Sequence, residues 1–134
     1  MITLFSVLIV EDDKELSELY CTVLSDNGYK VYTAQNGEIA LKIIHESYID
    51  LMICDVMMPK MDGYELTKQL RESGYTLPIL MITAKGQLMD KKQGFMVGTD
   101  DYMVKPVNVN EILWRIEALL RRSQLVNQRI LQIG

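Results

Sequence analysis

The sequence predicts an α/β fold, a doubly wound sheet of five parallel strands with helices on both faces, and three observations carry that prediction. Short apolar runs recur along the chain, too brief for helices and too continuous for half-exposed strands. Between them lie stretches with apolar residues at helical spacing, bounded by capping residues and glycines. Most of the apolar runs stop abruptly at a polar or charged residue, and in a parallel sheet those residues gather along one edge.

Val7-Leu8-Ile9-Val10 is the first strand, rich in β-branched residues and ended by Glu11-Asp12-Asp13. Leu16, Leu19, Tyr20, Val23 and Leu24 then recur at helical spacing to about Asn27, with Gly28 placed for a left-handed cap. Residues 30–34 form a second strand, and Asn36 caps a helix that carries Ala40, Ile43 and Ile44 on one face. The lone histidine, His45, lies late in that helix and reads as a surface residue without a role. Leu51-Met52-Ile53-Cys54 is unbroken apolar sequence, a buried third strand with Asp55 at its carboxyl end.

Asp62-Gly63-Tyr64-Glu65 has the spacing of a capping box and starts a third helix that Gly74 closes. Residues 78–83 make the fourth strand, which ends in Thr83. Residues 86–98 predict a weaker and more mobile helix, with Gly94 inside it and no clean apolar stripe. Asp101-Tyr102-Met103-Val104 is the fifth strand and runs into Lys105-Pro106. Asn108 and Glu111 frame a second capping box, and Val109, Ile112, Leu113, Ile116 and Leu120 form the apolar face of a final helix. Residues 123–134 mix polar and apolar positions without a helical stripe and read as a linker leading into a strand.

The length of 134 residues suits one domain, placed at 1–122, with 123–134 as the linker. A net charge of −4 excludes nonspecific nucleic-acid binding by this chain alone, which needs a basic surface to displace counterions. Cys21 and Cys54 lie in a helix and a buried strand, so they read as small core residues and not as a disulfide or metal framework. No basic leader precedes an apolar segment and no run reaches the length of a membrane span, which points to a cytoplasmic protein without membrane contact.

The strand ends bring together Glu11, Asp12, Asp55, Thr83 and Lys105. Clustered carboxylates repel, and a cation relieves them; an all-oxygen site open to water is magnesium-like in character. Lys105 adds a movable positive charge and Thr83 a hydroxyl. This inventory suits phosphoryl transfer, with Asp55 as nucleophile and Lys105, Thr83 and the backbone amides after Asp55 and Thr83 holding phosphoryl oxygens.

On Val10-Glu11-Asp12-Asp13, Asp55-Val56-Met57-Met58-Pro59 with Asp62-Gly63, Thr83-Ala84 and Lys105-Pro106, in that order, the chain resembles the receiver domains of two-component response regulators. The resemblance covers Val7 to about Arg122. It implies a flavodoxin-like (βα)5 receiver fold with strand order 2-1-3-4-5 and Asp55 as the phosphoacceptor for a sensor histidine kinase. It further implies Mg²⁺ or Mn²⁺ bound by Asp12, Asp55 and the Met57 carbonyl with Glu11 nearby, Thr83 and Tyr102 as a switch pair, and a cis Lys105-Pro106 bond.

Residues 98–102, with Glu111, Arg115 and Arg122, resemble the winged-helix transcription-factor branch of that family, and residues 129–134 resemble the start of its DNA-binding domain. Phosphorylation is then expected to promote a homodimer through the weak helix, the last strand and the last helix. Its pairs would be Lys91 with Glu111, Asp101 with Arg115 and Asp100 with Arg122, and DNA would be reached only through the attached effector domain. An aspartate-nucleophile phosphatase is the rival enzyme reading, but it needs a second aspartate where this chain has Met57. A flavin mononucleotide carrier is disfavoured because Glu11-Asp12-Asp13 would repel the phosphate, while a degenerate receiver acting only as an interaction module is the remaining alternative. Lys85 and Met57 flank the pocket and bear on the lifetime of the phosphoryl group.

Overall fold

The computed structural model of the protein describes residues 4–84 and 98–133, the stretch 125–133 by its backbone. Each apolar run is a strand: β1 (Ser6–Val10), β2 (Lys30–Ala34), β3 (Leu51–Asp55), β4 (Ile79–Thr83) and β5 (Asp101–Val104). All pair in parallel, in the order β2-β1-β3-β4-β5, so β3 is central and the chain crosses over between β2 and β3. The helices among the described residues are α1 (Lys14–Asp26), α2 (Gly37–Glu46), α3 (Gly63–Glu72) and α4 (Val109–Ile133).

Strand alternation divides the core between two faces. Leu8, Met52, Cys54 and Met81 pack with Ala40 and Ile44 of α2 and Leu66 and Leu70 of α3. Ile9, Leu51, Ile53, Leu80 and Met103 turn the other way onto Tyr20 and Leu24 of α1 and Ile112, Ile116, Leu119 and Leu120 of α4. Covered on both sides, β3 and β4 are buried at every residue, which is why their sequences are continuous and not alternating. Leu19, expected in the core stripe of α1, is instead 47% exposed, because the buried arc of that helix is narrow and holds Tyr20 and Leu24.

Helix starts are set by side-chain caps. Asn36 Oδ1 accepts from the Ile39 amide at 2.9 Å and Asp62 Oδ1 from the Glu65 amide at 2.8 Å. Asn108 Oδ1 accepts from the Asn110 amide at 2.9 Å, and Asp13 Oδ1 from those of Glu15 and Leu16 at 3.0 and 3.2 Å. Gly28 and Gly74 sit at φ of +89° and +88° directly after α1 and α3, as left-handed helix stops.

The expectation that 123–134 lacks a helix and leads into a strand is overturned, since α4 runs on to Ile133. No glycine or proline interrupts the sequence from Val107 to Ile133, and Leu, Gln and Arg extend an already nucleated helix at little cost. The weak helix expected over 86–98 lies outside the described residues except for Gly98, as do Lys85 and Lys91.

Candidate phosphoryl-transfer and metal site

β1, β3, β4 and β5 all end at the carboxyl edge of the sheet, β4 standing between β3 and β5, and their last residues and first loops build the site. Asp55 closes β3 at 5% exposure, and Glu11 follows β1 at 3%, fixed in part by its Oε2, which accepts from the Asp13 amide at 3.1 Å. Lys105 follows β5, held by its own amide donating to the Thr83 carbonyl at 2.8 Å and by a cis Lys105-Pro106 bond. Its Nζ donates to Asp55 Oδ2 at 2.7 Å and stands 3.6 Å from Glu11 Oε1. Asp12 is exposed at the rim.

The loop after Asp55 is drawn in by close packing. The Gly63 amide donates to the Val56 carbonyl at 2.9 Å, and a Cβ on Gly63 would stand 2.7 Å from the Asp55 carbonyl and 2.8 Å from Met81 Sδ. Only glycine lets α3 begin that near the end of β3. The Val56 amide, an expected phosphate partner, is committed to the Ile82 carbonyl at 2.9 Å in the sheet ladder. The amide that meets the carboxylate is one residue on: Met57 N donates to Asp55 Oδ1 at 3.0 Å, while the Met57 side chain is 59% exposed.

Burial, followed by the nearby Asp55 charge, pushes the Glu11 carboxyl up to about 7, against the Asp13 amide and Lys105, which favour its ionised form. Burial alone would lower Lys105, but its hydrogen bond to Asp55 and the charges of Asp55 and Glu11 outweigh it and leave the ammonium raised. Tyr20, assigned to the core by periodicity, also senses the site: burial first and then Glu11 raise its phenol.

Glu11, Asp12 and Asp55 each bring one carboxylate oxygen to within 4.8 Å of the others. Glu11 Oε1 is buried and accepts no hydrogen bond among the described residues. Hard oxygen donors in that arrangement, with one wall open to water through Asp12, fit a divalent cation of the magnesium type.

Thr83 is fully buried at the end of β4 and Tyr102 is 6% exposed on β5, where it pairs in register with Met81. Of the residues expected to pair between copies, Asp100, Asp101, Glu111 and Arg115 already have partners within the chain. Arg115 Nη1 donates to both Asp101 oxygens at 2.8 Å, and its Nε and Nη2 donate to Glu111 Oε1 at 3.0 and 2.9 Å. Asp100 Oδ2 accepts from Arg71 Nη2 at 3.0 Å and from the Ile79 amide at 2.8 Å. Arg122 is exposed and has no ion pair among the described residues. His45 is exposed, as its sequence context implies, and its Nδ1 lies 2.8 Å from the Tyr75 hydroxyl. Arg71 carries no sequence signal of its role, because its partners are mostly carbonyls brought near by the fold.

Residues 7–117 match the response regulator receiver domain family. The chain is 40% identical over 131 residues to the heme response regulator HssR of Staphylococcus epidermidis, covering 98% of this chain and 58% of that protein. It is 44% identical over 119 residues to the alkaline phosphatase synthesis transcriptional regulatory protein PhoP of Bacillus subtilis, covering 89% and 50%. The chain thus spans about half the length of the curated relatives it matches. The receiver domain of Francisella response regulator 1452 superposes with a TM-score of 0.83 at 32% identity, over 88% of this chain and 98% of that one. Since the match runs through every strand and every charged group of the acidic site, the chain belongs to the response regulator receiver domain family.

Proposed function

We propose that Asp55 accepts a phosphoryl group from the phosphohistidine of a sensor histidine kinase, and that residues 1–122 thereby control dimerisation and DNA binding by an attached effector domain reached through 123–134. The observation that carries this reading is the 2.7 Å contact between Lys105 Nζ and Asp55 Oδ2 beside the buried Glu11. It sets a nucleophilic carboxylate next to a fixed cation at an edge where charge must be neutralised. An Asp55 oxygen forms the new bond to phosphorus as the bond from phosphorus to the imidazole nitrogen breaks. Lys105 holds a transferred phosphoryl oxygen, and Thr83 supplies a hydroxyl to another.

Glu11, Asp12, Asp55 and the Met57 carbonyl would hold Mg²⁺ or Mn²⁺, which supplies charge neutralisation for the phosphoryl oxygens. Thr83 and Tyr102 respond to the added charge as the switch pair. The chain is a phosphoacceptor with self-phosphorylation and dephosphorylation as its chemistry, not a turnover enzyme, and it works in the cytoplasm. No described helix is long and apolar enough to cross a membrane.

Intact mass after incubation with acetyl phosphate and MgCl₂ tests the reading. One phosphoryl increment is expected, absent with EDTA and absent in Asp55→Asn. An increment that persists in Asp55→Asn, or forms fully in EDTA, sinks it.

A further inference from the structure

The edge of the sheet opposite the acidic site holds a cavity of about 390 Å³, within the range of small-molecule sites. It opens where the strands begin. Phe5 precedes β1, Tyr48 and Asp50 lie between α2 and β3, Tyr75 lies between α3 and β4, and Leu120 and Gln124 of α4 form a further wall. The loops that carry these groups are tied down. The Asp50 amide donates to the Ser6 carbonyl and its Oδ2 accepts from the Ser6 amide, both at 2.8 Å. The Tyr75 hydroxyl stands 2.8 Å from His45 Nδ1, and the Tyr75 carbonyl accepts from Arg71 Nη1 at 2.9 Å. Walls fixed in this way have little freedom left to lose on binding.

Among the described residues, the cavity is lined by three aromatic rings, one carboxylate and no basic side chain. That composition discriminates between occupants. An anion would meet no positive group and would face Asp50. A divalent metal needs several oxygen ligands, and one carboxylate among rings does not supply them. A neutral apolar molecule would strip water from Asp50 without compensating its charge. An organic ammonium ion satisfies both kinds of wall, since its charge is attracted by the carboxylate and by the rings, while its apolar substituents replace water on Tyr48, which is 80% exposed.

We propose that this cavity binds a small organic ammonium ion bearing an apolar substituent, with the charge at Asp50 and the substituent among Phe5, Tyr48 and Tyr75. The site lies a full strand away from Asp55, at the other end of β3, so it stands independently of the phosphoacceptor reading.

The probe is benzyltrimethylammonium chloride, titrated into the full chain at constant ionic strength with MgCl₂ present and followed by amide NMR shifts. Phenylacetate and benzyl alcohol are the anionic and neutral controls. Saturable shifts are expected at residues 47–50 and 74–78, with both controls binding at least about 10-fold more weakly. Asp50→Asn keeps an oxygen to accept from the Ser6 amide and removes the charge, while Tyr48→Ala removes an exposed ring; each should weaken the probe by about 5- to 10-fold. Controls that bind as tightly as the probe overturn the ammonium assignment, as does an Asp50→Asn chain that binds like wild type. Shifts that never saturate, or that fall only on Glu11, Asp12 and Asp55, mean that general negative charge draws the cation and overturn the site. If Asp50→Asn loses its amide dispersion and so its fold, Tyr48→Ala decides alone, and undiminished affinity there overturns the proposal.

Discussion

Glu11 is held where a carboxylate is least at ease, buried beside Asp55, and its pKa of about 7 against an ordinary 4.5 records that. Between those two values the folded chain keeps a proton that the unfolded chain releases. By linkage this group's contribution therefore makes stability fall as pH rises from about 4.5 to about 7, with the full penalty present above that. A divalent cation offsets the penalty only where Glu11 is ionised. Metal-free wild type should accordingly lose more stability than Glu11→Gln between about pH 5 and about pH 8, and MgCl₂ should stabilise wild type more at the higher pH. Urea midpoints across that range measure both effects. Equal pH slopes in the two proteins would mean that Glu11 is ionised throughout. The proximity of Glu11, Asp55 and Lys105 was legible because strand-end residues of a parallel sheet share an edge, whereas the depth of Glu11 was not, because burial depends on neighbours that a linear pattern does not name.

At the scale of elements, the start of α3 is what draws the loop after Asp55 into place. A methyl group at Gly63 would meet the Asp55 carbonyl at 2.7 Å, which is backbone and cannot swing aside. Gly63→Ala should therefore destabilise by about 1–3 kcal/mol through overpacking and, by displacing the end of β3, lower the phosphoryl occupancy of Asp55. Denaturation together with intact mass tests it, and a variant as stable and as reactive as wild type would show that α3 shifts freely. The capping residues Asn36, Asp62 and Asn108 were readable because capping is local chemistry, each side chain meeting an amide two or three residues on. Asp13 was masked by its acidic neighbours, which pointed to the site instead, yet it caps α1. The continuation of α4 to Ile133 is not legible in the sequence for a different reason. A stripe argument finds helices that pack on a core, while residues 125–133 continue a helix by propensity and nucleation without needing that pattern.

Across the whole molecule, the site lies at the carboxyl ends of the strands, and a second tie lies nearer their starts. Arg71, in the last turn of α3, donates to the Gly98 carbonyl from Nε and Nη2 at 3.1 and 2.9 Å, to the Tyr75 carbonyl at 2.9 Å and to Asp100 Oδ2 at 3.0 Å. Asp100 in turn accepts from the Ile79 amide at the start of β4, and its own amide donates to the Ile79 carbonyl at 3.0 Å. One guanidinium thus joins α3, the loop after it and the approach to β5, whose far end delivers Lys105 to Asp55. Burial pushes the Arg71 guanidinium down and Asp100 opposes the shift, as expected of a cation kept indoors by its partners. The ion pair is half-open, at 23% and 38% side-chain exposure, so its Coulomb energy is screened and most of the tie comes from the carbonyls it satisfies. Arg71→Gln should then cost more than Asp100→Asn, about 2–3 kcal/mol against about 1 kcal/mol, because it strands the Gly98 and Tyr75 carbonyls. The double variant should fall short of the sum, since both changes cut one network. Urea unfolding of the four proteins closes the cycle. Strict additivity, or a larger loss in Asp100→Asn, would mean that Arg71 and Asp100 act separately and that β5 is positioned by its ladder with β4 alone.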